Sequence, residues 1–133
     1  MGAPNVTALK LKRQSRLLEV TFANNNHFVL SSELLRVCSP SAEVHGHGNP
    51  VLVTNKRLVN IDKIEPVGNY AVKLHFDDGH NTGIYSWDYL HELGRNQATH
   101  WDNYLSRIKA AKASREPLID IAVQFHDASE PRS

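Results

Sequence analysis

The sequence predicts an α+β fold, mostly antiparallel strands and hairpins with two short helices and one longer C-terminal amphipathic helix. Three observations predict it. Apolar residues recur at every second position over Val6–Phe22 and again over Tyr70–Phe76. Turns, not crossover helices, separate successive runs. Two such stretches each end at a serine followed closely by an acidic residue and large apolar side chains, at Ser31-Ser32-Glu33-Leu34-Leu35 and at Ser86-Trp87-Asp88-Tyr89-Leu90.

The elements follow in order. Leu9 and Leu11 alternate with lysines, Leu18, Val20 and Phe22 alternate with Glu19 and Thr21, and polar Arg13–Arg16 between them closes a hairpin. Ala23–Asn26 is a turn, because asparagine tolerates left-handed backbone. Phe28 and Leu30 make a third strand, and the serine pair that follows caps a helix of one or two turns through Val37. Cys38–Pro50, with its prolines, glycines and serines, reads as a loop long enough to be functional or mobile. Strand character resumes over Val51–Val53 and Leu58–Ile64, and Pro66, Gly68 and Asn69 form a turn. Tyr70, Val72, Leu74 and Phe76 give the cleanest alternation, Asp77-Asp78-Gly79 is a tight turn, and Gly83–Tyr85 is the return strand. Ser86 caps a helix over Trp87–Leu93 that Gly94 terminates. A longer helix runs from Asn96 or Thr99 to about Ala113, with Ala98, Trp101, Leu105, Ile108 and Ala111 on one stripe, Tyr104 at its edge, and Thr99 with Asp102 as a capping box. The strand, turn, strand and capped-helix plan around Phe22 is echoed around Phe76, a partial internal repeat.

The 133 residues suit one domain, placed at 1–113, with a flexible polar tail over 114–133 in which Leu118–Phe125 alternates weakly. Fifteen basic residues against 14 acidic ones supply no general drive toward nucleic acid or an anionic membrane. The single cysteine excludes an internal disulfide and any site built on several thiolates of one chain. No apolar run reaches the ~20 residues of a membrane span, and the first residues lack the apolar stretch of a secretory signal. A cytoplasmic protein is expected.

Nucleophile elbows, phosphate loops and dinucleotide fingerprints are missing. Asp77, Asp78 and His80 read either as an acid–base group or, more simply, as a hairpin turn whose carboxylates bond backbone amides. The compositional excess is eight histidines. His45 and His47 lie two apart in the glycine-flanked loop, Cys38 lies upstream and His80 in the Asp77–Thr82 turn. If the loop folds over that turn, Cys38, His45, His47 and His80 supply a tetrahedral nitrogen and sulfur set, with zinc the metal it would suit. His27, His75, His91, His100 and His126 have ordinary places on strands, helices or tail. Tyr85, Trp87 and Tyr89 crowd the start of the second helix, as packing or as a recognition surface.

One resemblance covers roughly Val6–Ile108. Leu35-Arg36, Ser39–Val44, Glu65–Val72 and above all Asp-Gly-His-x-x-Gly-Ile-Tyr-Ser-Trp over Asp78–Trp87 resemble small bacterial proteins of the gamma-butyrobetaine hydroxylase-like N-terminal domain family. The resemblance implies a domain that precedes an iron- and 2-oxoglutarate-dependent catalytic domain in the hydroxylases and is joined to iron–sulfur ATPases in other members. The present chain lacks the length of the oxygenase part, so hydroxylase activity does not transfer. In zinc-binding relatives a Cys-x-Cys-x-x-Cys loop and the histidine of the Asp-Gly-His turn hold the metal. Ser39, Ser41 and Val44 stand at the cysteine positions here and His80 at the histidine.

The functional expectation is a non-enzymatic binding or adaptor domain with an unidentified protein partner, linked to iron–sulfur protein maturation, and with no cofactor, nucleic acid or membrane. Its contact surface is expected around Ser39, Ser41, Glu43, Asp78, Tyr85 and Trp87. The alternative is a zinc- or iron-binding protein using Cys38, His45, His47 and His80.

Overall fold

The computed structural model describes residues 4–45 and 51–118. The hairpin of β1 (Val6–Lys12) and β2 (Leu17–Phe22) continues into β3 (His27–Ser31), an antiparallel sheet in sequence order. β4 (Ile61–Val67), β5 (Ala71–Phe76) and β6 (Ile84–Ser86) form a second sheet of the same design. Each sheet ends at a serine that caps a helix. Ser31 Oγ accepts from Leu34 N at 3.0 Å to start α1 (Ser32–Val37), and Ser86 Oγ accepts from Tyr89 N at 3.1 Å to start α3 (Trp87–Arg95). Repeated sequence signals thus give a repeated local structure, and the predicted α+β class stands.

The period-two pattern fixes which side chains meet. Leu18, Val20 and Phe22 of β2 and Val72, Leu74 and Phe76 of β5 are all buried, and with Leu35 and Leu90 of the two capped helices they make one shared core. At roughly 1.5–3 kcal/mol per fully buried large apolar side chain, this alternation drives the two sheets together. Four of the described histidines take ordinary surface and core roles. His27, His75 and His100 sit beside Glu19, Glu65 and Glu92, and His91 packs edge-on against Phe22 and Phe28.

Several boundaries depart from expectation. Residues 51–60 form no strand, and β4 begins at Ile61 and runs through Pro66, which pairs with Val72. Proline is tolerated because β4 is an edge strand with one open side. The turn therefore falls on Gly68, at φ +56°, and the two residues after it. Gly94 does not end α3. It lies inside the helix, where a β-carbon would come within 2.3 Å of the Phe28 ring, so its smallness serves packing. Within the expected loop, Ala42–His45 winds into a single turn, α2.

α4 (Gln97–Ala110) starts from Asn96 without a side-chain cap, so the Thr99/Asp102 box is not its start. Its buried stripe is Tyr104 and Ile108, while Leu105 is exposed. Ser114–Glu116, expected in the tail, are bonded to the 51–60 segment: Asn55 N–H donates to the Ser114 carbonyl at 2.9 Å and Arg57 N–H to that of Arg115 at 2.8 Å. Residues 119–133, which carry the rest of that expected tail and His126, lie outside the described residues. No described helix is long and apolar enough to cross a membrane.

Candidate functional site

The site forms where the end of α1 meets the β5–β6 connection. The β5 alternation ends at Phe76, and Asp77-Asp78-Gly79 reverses the chain: Gly79 N–H donates to the Phe76 carbonyl at 3.0 Å and Phe76 N–H to that of His80 at 2.9 Å. Gly79 sits at φ +91°, which favours glycine. The turn aspartates bond backbone amides, as turn chemistry predicts. Asp77 Oδ1 accepts from Asn60 N–H at 3.1 Å and Asp78 Oδ1 from His80 N–H at 3.0 Å.

This turn delivers His80 inward. Its Nε2 lies 2.8 Å from Ser39 Oγ and 3.5 Å from Ser41 Oγ, and all three side chains are buried. Ser39 Oγ also accepts from Ser41 N–H at 3.3 Å. Gly83 makes room for the serine, because a β-carbon at Gly83 would fall 2.4 Å from Ser39 Oγ. Two tyrosines fasten the same segment from below: Tyr85 donates its hydroxyl to the Leu35 carbonyl and Tyr89 to that of Cys38. Burial pushes both phenols up from their ordinary range, so they act as donors at any physiological pH.

Asp78 binds the outer rim. Its Oδ2 takes Arg36 Nε at 2.8 Å and Lys56 Nζ at 2.7 Å. Burial alone would raise this carboxyl, but the bonds from Lys56, the His80 amide and Arg36 outweigh it and hold the pKa down to about 2. Lys56 is not among the residues that sequence patterns single out. Its only sequence signal is a basic residue in a polar turn.

Cys38 points elsewhere. It lines a groove of about 480 Å³ with Val44, Leu52, Tyr89, Tyr104 and Arg107. Burial, reinforced by the Glu92 charge, pushes its thiol up to about 11, so it is protonated at neutral pH. His47, with residues 46–50, and the side chains of Glu43 and His45 lie outside the described residues. Among the described residues no three His, Cys, Asp or Glu side chains converge as metal ligands. The zinc site implied by the resemblance does not fit the donors present: two neutral hydroxyls, the alkyl side chain of Val44, and an imidazole nitrogen already bonded to one of those hydroxyls.

The surface expectation is corrected in part. Ser39, Ser41 and Tyr85 are buried and hold the scaffold, so they cannot touch a partner. Trp87 is half-buried, its indole N–H donating to the Asn69 carbonyl at 2.9 Å. What faces outward is the back of the turn: Asp77, Asp78, Asn81, Thr82 and Ile84.

Comparison with known proteins places this geometry. The family model described as gamma-butyrobetaine hydroxylase-like, N-terminal, matches residues 9–91. One solution NMR structure, 70% identical, matches with a TM-score of 0.76 over 86% of this chain and 87% of its own. Another, 44% identical, has a TM-score of 0.77 over 87% of this chain and 93% of its own. The crystal structure of a protein with unknown function of the DUF971 family from Acidithiobacillus ferrooxidans, 40% identical, matches with a TM-score of 0.59 over 68% of this chain and 92% of its own. No curated protein matches.

Proposed function

The chain belongs to the gamma-butyrobetaine hydroxylase-like N-terminal domain family, and from that premise we propose that it is a non-enzymatic binding module whose contact surface is the outer side of the Asp77–Ile84 turn with Trp87 beside it. One observation carries this reading. The groups resembling an acid–base or nucleophilic set, Ser39, Ser41 and His80, are turned inward and bonded to one another, while the turn they hold rigid presents exposed Asp77, Asn81, Thr82 and Ile84. A surface pre-organised in this way loses little entropy when a partner docks. A buried hydroxyl without a path for substrate does no acyl or phosphoryl chemistry.

The partner we propose is a protein of iron–sulfur cluster maturation. Support comes from the resemblance, in which members of this family are joined to ATPases that carry such clusters. Capture from native lysate tests both parts, comparing the wild-type chain with Ile84→Asp and Asn81→Asp, surface changes that leave the buried network intact. The expected result is a partner of that pathway, identified by mass spectrometry, recovered by the wild type and lost from both variants. Equal recovery by all three overturns the surface, and a partner from an unrelated process overturns the pathway.

A further inference from the structure

Glu33, in the first turn of α1, is only 5% exposed. An unpaired carboxylate there would be strongly disfavoured. Arg115 meets it in a two-point pair, Nε to Oε2 at 2.8 Å and Nη2 to Oε1 at 2.7 Å. The Tyr104 hydroxyl donates to the same Oε2 at 2.6 Å, and the Arg115 guanidinium carbon lies 5.0 Å from the centre of the Trp101 ring. A carboxylate fork beside an aromatic face suits a planar guanidinium and suits a compact ammonium poorly.

The socket and its occupant differ in how they are held. Glu33 stands on a serine-capped helix, and Trp101 and Tyr104 pack on each other within α4, with ring centres 5.3 Å apart. Arg115 belongs to a strap that leaves α4 through Lys112, a lysine at φ +54°, and its side chain is 32% exposed against 6% for Glu33. Beyond its exit from α4, where Ala113 N–H bonds the Ile108 carbonyl, the strap is fastened in the described contacts by backbone bonds to Asn55 and Arg57 and by the exposed Arg57–Glu116 ion pair. A groove of about 410 Å³ lined by Leu17, Val29, Leu34, Gln97 and Trp101 continues from the socket. An arginine arriving from outside would re-form the same buried pair as it displaces Arg115, so the exchange gives up little beyond those strap bonds.

We propose that Glu33, Trp101 and Tyr104 form a guanidinium-binding socket, that Arg115 plugs it in the free chain, and that an arginine-bearing segment of a protein partner takes it in exchange. The exchange rests on the binding-module reading. The socket does not.

Arg115→Ala in the full chain, titrated with ethylguanidinium or ethylammonium at equal ionic strength, tests the socket. The variant is expected to melt several degrees lower than the wild type, to recover saturably with ethylguanidinium only, and to show no recovery when Glu33→Gln is added. Equal recovery with both cations, or recovery without Glu33, overturns the socket. A fluorescent peptide of residues Ala113–Pro117 tests the plug: it should bind Arg115→Ala at least about tenfold more tightly than the wild type. Equal binding overturns the plug, and no binding by the variant overturns both. Should Arg115→Ala not fold, Arg115→Lys keeps the charge and loses the two-point pair, and the peptide should still bind it more tightly than the wild type. Because the probes are defined and the chain purified, these outcomes are independent of what the turn variants recover from lysate.

Discussion

Ser39 Oγ lies 2.8 Å from His80 Nε2, and both side chains are buried although 41 positions separate them in the chain. The bond ties the segment after α1 to the turn after β5, joining the first repeat to the second. Removing the hydroxyl leaves that buried nitrogen the longer 3.5 Å contact to Ser41 Oγ in place of its 2.8 Å bond, so Ser39→Ala should cost about 1–3 kcal/mol in urea unfolding. Gly83→Ala should cost a similar amount, about 1–3 kcal/mol, because its methyl would overlap Ser39 Oγ at 2.4 Å. Two variants each within about 0.5 kcal/mol of wild type would show that the junction is not tightly packed.

Asp78 sets an acid limit. Its folded pKa, about 2, lies below the ordinary aspartate value of 3.8, so its stabilising bonds to Lys56, the His80 amide and Arg36 are fully present above the unfolded pKa. They are lost as the pH falls through the folded value. The stability gap between wild type and Asp78→Asn should therefore be constant above about pH 5 and close between pH 4 and 2, measured by circular dichroism in urea. A gap independent of pH down to 2 would remove the carboxylate as its source.

Metal content discriminates between the binding-module reading and the alternative set of Cys38, His45, His47 and His80. The Ser39–His80 bond and the protonated Cys38 thiol both oppose ligation. Protein purified without an affinity tag, supplied with zinc and desalted, should retain less than about a tenth of an equivalent. About one equivalent, lost on His80→Ala, would establish the histidine-rich site instead.

Lys112 occupies the position after the α4 cap in left-handed backbone, φ +54°, with Ala113 N–H donating back to the Ile108 carbonyl at 2.9 Å. This is the place glycine favours at a helix end. Lys112→Gly should raise stability by about 0.5–1 kcal/mol, read as a higher urea midpoint at unchanged slope. A lower midpoint would mean that the lysine side chain contributes more than the backbone strain costs.

The candidate site was legible only in parts. Asp77-Asp78-Gly79 announced a turn whose carboxylates bond amides, and they do. The sequence points to Ser39, Ser41 and His80, but as a surface and as a metal ligand, whereas the structure points them at one another in the interior. Burial is the missing quantity, because Cys38–Val44 has no periodicity from which to read an inward face. The stripe of α4 holds at Trp101 and Ile108 but not at Leu105, for a related reason. Trp101, Leu105 and Ile108 fit one helical face with Tyr104 at its edge, yet it is Tyr104 and not Leu105 that is buried, where its hydroxyl finds Glu33.

The sequence by itself determined the local structure: alternation built the strands, asparagine and glycine the turns, and Ser31 and Ser86 the two helix starts. Each of these depends on residues within a few positions of one another and on the backbone preferences they carry. Tertiary structure alone decided that His80 meets Ser39, that Asp78 collects Arg36 and Lys56, and that Glu33 meets an arginine 82 positions away. These pairings depend on how the two sheets and their helices stack, and a buried polar group takes whichever partner that stacking brings within reach.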